Sequence, residues 1–83
     1  MTARIVYKSS VGHDLRKVFP RDRTRILYRI EEILREDPRG GDPLHGEFEG
    51  LFKLRVGDYR VIYALLGQDV LVLRIRHRSK AYE

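Results

Sequence analysis

Seven residues toward the C-terminus have side chains suited to phosphate chemistry: Lys53, Arg55, Arg60, Arg74, Arg76, Arg78 and Tyr82. An arginine presents a planar fork that grips two phosphate oxygens, a lysine can take or give a proton beside them, and a tyrosine ring offers a face for a base. Their spacing predicts that they meet. If Gly57-Asp58 closes a two-residue hairpin, Arg55 lies opposite Arg60, Lys53 opposite Ile62 and Val56 opposite Tyr59. Phe52, Leu54, Val56, Tyr59, Val61 and Tyr63 then fill one face, and the cations take the other. A three-residue Gly67-Gln68-Asp69 loop pairs Leu66 with Val70 and Arg60 with Arg76, and it sends Leu71, Leu73 and Ile75 to the apolar face. Six cations share the open face in that register, with Asp58 at the turn the sole interleaving acid. Like charges directly opposite cost roughly 0.2 to 1 kcal/mol a pair, so stability alone does not favour the arrangement. A site that receives phosphate accounts for it better than a solvated surface does. Tyr82, four residues past Arg78, is placed to bring a stacking ring to the rim, although a lone terminal tyrosine more commonly packs.

Other chemistries find little support. His13, His45 and His77 lack ligand-like spacing and there is no cysteine, so neither a metal site nor a thiolate nucleophile is expected. His13 reads as a helix-surface residue, and His77 as a packing or solvated one. The glycines at 40, 41, 46, 50, 57 and 67 follow no nucleotide-loop pattern. Ser9 and Ser10 read as helix caps, Ser79 falls in a basic tail, and no Ser-His-Asp assembly emerges. No cofactor is expected.

The charge distribution points the same way. Net charge is +5, with thirteen arginines among 17 cations. It divides into +6 over residues 1–30, −5 over 31–50 and +4 over 51–83, two basic ends about an acidic middle. Such a balance suits a polyanionic partner. At 83 residues the chain fits one small domain, residues 1–83, with a thin core. No stretch approaches the roughly 20 apolar residues of a membrane span, and residues 1–7 lack a signal-like apolar run, which predicts a cytoplasmic protein with no membrane partner.

The elements that must position the cations can be read from periodicity. Residues 2–8 alternate as a strand with Ala3, Ile5 and Tyr7 on one face. Val11, Leu15, Val18 and Phe19 recur at helical spacing up to Pro20, and residues 21–35 carry Ile26, Ile30 and Ile33 on one stripe flanked by Leu27 and Leu34. Residues 37–43, rich in Asp, Pro and Gly, predict a loop and nothing else. Three strands follow, at 51–56, 59–65 and 70–76. The order β-α-α-β-β-β predicts an α+β fold, an antiparallel sheet with a two-helix hairpin packed on one face.

These residues also carry a family resemblance. The strand-helix-helix opening, Asp37-Pro38, Pro43-Leu44-His45-Gly46, the block Gly50 to Tyr63, and the closing His77-Arg78 and Tyr82 resemble the RelE/ParE superfamily of toxins from toxin–antitoxin pairs. Within that superfamily they resemble the RelE-like mRNA endonucleases. That resemblance implies a metal-independent, ribosome-dependent endoribonuclease that cuts the mRNA codon in the ribosomal A site and so blocks translation. It implies attack by the ribose 2′-hydroxyl on the adjacent phosphate, and a cognate antitoxin as partner. Matched by position, Lys53 takes the general-base place, Arg60 a phosphate-stabilising place, Arg78 the place that serves the leaving oxygen and Tyr82 the base-stacking place. Arg55, Arg74 and Arg76 are phosphate contacts. Arg55 stands where the best-studied members have lysine, and it keeps charge but is a poorer proton carrier. The short tail after Arg78 leaves Arg76 and Arg78 both open as the leaving-group arginine. Two alternatives share the fold: a ParE-like toxin that poisons DNA gyrase, and a non-catalytic RNA-binding module. ParE-like members generally lack the basic cluster, which weighs against the first.

Overall fold

Alternation at residues 3–7 becomes strand β1 (Ile5–Tyr7) in the computed structural model, which describes residues 2–80. Ile5 and Tyr7 pack against the core and Val6 faces away, as the period requires. Helix α1 (Ser9–Arg16) follows at once, but its serines do not cap it. Lys8 is the N-cap residue and makes no side-chain cap bond, while Ser10 Oγ donates to the Leu73 carbonyl at 2.9 Å. Helix α2 (Pro20–Leu34) begins on proline, whose missing N–H goes unneeded in a first turn. Ile26, Ile30 and Leu34 form its buried stripe, each withdrawing a side chain worth roughly 1.5 to 3 kcal/mol from water.

Within the turn-rich run 37–43, expected as loop throughout, Asp42–Pro43 forms a short strand, β2. It pairs with β3 (Leu51–Val56), Asp42 opposite Lys53 and Pro43 opposite Phe52. Because β2 is an edge strand, proline's lack of a donor interrupts no ladder. β4 (Tyr59–Leu66) and β5 (Asp69–His77) complete the expected meander. Gly57 is left-handed at φ 59° while Asp58 is not, the pattern of a hairpin turn that demands glycine at its first central position.

The sheet is mixed rather than antiparallel, in the order β1-β5-β4-β3-β2, with β1 parallel to β5. Chain direction explains this correction. The helix pair carries the chain across one face from the β1 edge to the β2 edge, and the meander then returns strand by strand until β5 reaches β1. Val11 of α1, Val18 of the connection after it and Ile26, Ile30 and Leu34 of α2 pack on Leu54, Val56, Val61, Tyr63, Val70, Val72 and Ile75 in one core.

The β4–β5 connection holds a second correction. Its loop has two residues, Gly67-Gln68, so Leu66 faces Asp69, and Val70 and Val72 take the buried positions expected for Leu71 and Leu73. An even loop alone would send Ile75 outward. Leu73 is an extra residue in β5: Tyr63 faces Val72, and the next pair is Ile62 with Arg74. This bulge resets the alternation, returns Ile75 to the core and places Arg76 opposite Arg60. The Arg60–Arg76 pairing expected from sequence is therefore present, reached by two compensating departures.

Candidate functional site

Backbone register builds a cationic row on the face away from the helices. Arg55 of β3 lies opposite Arg60 of β4, which lies opposite Arg76 of β5. One step along, Lys53 faces Ile62 on one side and Asp42 on the other. Beyond β5, the Arg78 N–H donates to the Asp58 carbonyl at 2.7 Å, and Arg78 Nε lies 4.0 Å from Asp58 Oδ1. The Gly57-Asp58 turn thus anchors the start of the C-terminal segment beside the row. Arg55, Arg60 and Arg78 line a cleft of about 180 Å³ together with Gly57, Asp58 and Tyr59.

A second, larger concavity of about 320 Å³ opens at the sheet edge, lined by Asp14, Lys17, Arg76 and His77 among others. Arg76 stands in the row by register and also lines this concavity. His77 is exposed and meets Tyr59 edge to face, ring centroids 5.3 Å apart. His13 is exposed on α1, as expected.

Arg74 keeps its register place on the open face, opposite Ile62, but its guanidinium is paired with α1 instead of standing free among the cations. Its Nε and one terminal nitrogen donate to the two carboxylate oxygens of Asp14, each at 3.0 Å, a bidentate pair with α1. Asp14 is 6% exposed and also accepts from the Ile75 N–H at 2.9 Å. Burial alone would raise the Asp14 carboxyl, but the Arg74 and Ile75 hydrogen bonds and the charges of Arg74 and Arg76 outweigh it and hold the group below the usual carboxylate range. The same pairing raises Arg74 above the ordinary guanidinium value. Tyr82 lies outside the described residues.

Two acids were missed by the reading that left Asp58 alone among the cations. Asp42 escaped because β2 was not expected. Asp14 carried a signal: it falls between Val11 and Leu15 on the inward stripe of α1, with Val18 just beyond, where an unpaired carboxylate would be costly. Among the described residues no cluster of His, Asp and Glu could hold a metal ion, and no helix is long and apolar enough to cross a membrane.

A mixed sheet with a helix pair on one face is the fold of solved toxin structures, and sequence comparison gives the family. Residues 5–82 match the family described as the ParE toxin of type II toxin–antitoxin systems. The chain belongs to the RelE/ParE family of type II toxin–antitoxin toxins. Among individual proteins it is similar to Toxin RelG of Mycobacterium tuberculosis, 31% identical over 99% of this chain and 98% of that protein. The RelBE2 toxin–antitoxin complex of the same organism contains a chain of the same fold, with TM-score 0.83 and 29% identity over 94% of this chain and 100% of that one. In the archaeal RelE–RelB complex of Pyrococcus horikoshii the likeness has TM-score 0.71 and 27% identity, over 98% of this chain and 100% of that chain.

Proposed function

We propose that this toxin is a ribosome-dependent, metal-independent mRNA endonuclease. The observation that carries the reading is the alignment of Arg55, Arg60 and Arg76 across three adjacent strands, with Lys53 one step along the same face. A row of like charges works against the stability of a sheet, and it suits a polyanion that must be gripped at a bent phosphate. In the proposed reaction Lys53 takes the proton of a ribose 2′-hydroxyl, and that oxygen bonds to the adjacent phosphorus. The bond from phosphorus to the 5′-oxygen breaks, leaving a 2′,3′-cyclic phosphate and a 5′-hydroxyl. Arg55 and Arg60 neutralise the charge that builds on the phosphorane, a preorganised electrostatic contribution. Arg78, in the cleft with them, hydrogen-bonds the departing oxygen and neutralises its charge while that oxygen takes a proton from water, with Arg76 the other candidate. Tyr82 is proposed to stack on a base, and Arg74 is reassigned from phosphate contact to partner of Asp14.

A cognate antitoxin is part of the proposal, since the similar RelBE2 and RelE–RelB structures are toxin–antitoxin complexes. A partner rich in acidic residues would neutralise the basic row. Purified toxin incubated with programmed ribosomes is expected to produce cuts within the A-site codon, ending in cyclic phosphate. The ParE-named family match favours a second reading, gyrase poisoning. Intact mRNA together with blocked supercoiling by purified gyrase would establish that reading and overturn the endonuclease.

A further inference from the structure

The bulge in β5 decides where Arg76 stands, and the bonds that hold the bulge come from α1. β1 ends opposite Val72, so beyond that point β5 has no strand on its outer side. Side chains of α1 take the place of a strand. Ser10 Oγ donates to the Leu73 carbonyl, and the Asp14 carboxylate accepts from the Ile75 N–H and from both donating nitrogens of Arg74. Without the extra residue, the pairing of Tyr63 with Val72 would continue as Ile62 with Leu73, Val61 with Arg74 and Arg60 with Ile75. Arg76 would then lie out of the row and Arg74 in the core.

We propose that Asp14 is a positioning residue for the phosphate-binding row: it clamps the Leu73 bulge and so keeps Arg76 in register opposite Arg60. The proposal rests on the reading of that row as a phosphate site. Asp14 does not line the cleft of Arg55, Arg60 and Arg78, and it acts through the Ile75 amide and the Arg74 guanidinium. Burial of Ile75 favours the same register, so loss of the carboxylate is expected to loosen residues 73–77 rather than re-pair them.

The test uses the full chain and reads structure and cleavage separately. In Asp14→Ala, nuclear magnetic resonance is expected to show weakened cross-strand contacts between Arg60 and Arg76 and about tenfold faster exchange of the Ile75 amide, with Tyr63–Val72 contacts unchanged. Single-turnover cleavage on programmed ribosomes should fall about tenfold or more, while the half-saturating ribosome concentration stays within about threefold. Asp14→Asn, which keeps an oxygen for the Ile75 amide, should recover part of the rate. Wild-type Arg60–Arg76 contacts, or a wild-type cleavage rate, in Asp14→Ala overturns the proposal. Equal loss of the Tyr63–Val72 contacts also overturns it, because that is general destabilisation. Should Asp14→Ala fail to fold, Ser10→Ala, lacking one bond to the bulge, is decided by the same two readings. No cleavage by the wild-type chain overturns the endonuclease reading alone, and the Arg60–Arg76 contacts then still decide the role of Asp14.

Discussion

On one side of the Leu73 bulge, β5 lies between two strands: residues 70–72 pair with β1 as well as with β4. There Val70, Val72 and Tyr63 are fully buried, and the outer face carries an apolar row, Val6, Leu71, Ala64 and Leu51. On the other side β5 has β4 alone, Ser10 and Asp14 hold its outer edge, and the open face carries arginines in place of apolar side chains. Both halves bury their helix-facing residues in one core, so the difference lies in what holds the edge and what faces outward. Backbone ladders and apolar contact make a segment stable whatever it does. A row of cations needs a scaffold that tolerates repulsion, and this chain supplies one by clamping the strand through side chains where the backbone ladder stops.

The largest expected effect breaks function in one half and leaves the other intact. Arg60→Ala is expected to reduce mRNA cleavage by about a hundredfold or more, as loss of a transition-state charge contact does. Its stability to urea should change by less than about 1 kcal/mol, since Arg60 stands on the face away from the shared core. Cleavage at the wild-type rate would remove the row from the mechanism, and a collapse of stability would make Arg60 structural.

Gly41→Ala should show where the halves join. A Cβ there would come within 2.6 Å of the Lys53 carbonyl oxygen and 2.8 Å of the Tyr63 hydroxyl, which accepts a hydrogen bond from the Gly41 N–H at 2.9 Å. Neither neighbour yields easily, one being backbone and the other a fully buried ring. Overpacking of this kind costs about 1 to 3 kcal/mol, and because Lys53 must shift with it, cleavage should fall as well. Urea melts and ribosome assays on the same preparation check both, and an unchanged melt would show that β2 moves away freely.

The helix layer and the β3–β4 hairpin were the more legible parts of the sequence. Ile26, Ile30 and Leu34 follow helical period, and the alternating residues of β3 and β4 settle their own faces, so the helix layer and the register of Arg55 with Arg60 could be read directly. What local pattern does not encode is a partner distant in sequence or a break in alternation. The run Val70 to Leu73 is apolar on every residue and favours neither face, so no period could reveal that Leu73 is the surplus one. Nor could Asp42 be placed beside Lys53 while Asp37 to Pro43 read as turn. The Arg60–Arg76 pairing was still legible, because Ile75 must be covered and only an odd offset covers it.

The smallest expected effect sharpens the comparison by pH. Asp14 sits in the clamped half, and burial, which would raise its carboxyl, is outweighed by the hydrogen bonds from Arg74 and the Ile75 N–H and by the charges of Arg74 and Arg76. Its folded value therefore lies below the ordinary 3.8, and between the two values the unfolded chain binds more protons than the folded one. The stabilisation is complete above 3.8 and is lost as pH falls through the lower folded value. Because burial opposes the hydrogen bonds and charges, only the difference between them appears in the slope. Melting wild type and Asp14→Asn from neutral pH into acid should show the gap between them narrowing as pH drops, since the variant has no proton to bind there. Hydrogen exchange adds the spatial test: acid should expose the Ile75 amide, which donates to a carboxylate, before the amides of Val70 and Val72, which lie where β5 is paired with β1. A gap that stays constant, or exposure of all three amides together, would show that the two halves open as one.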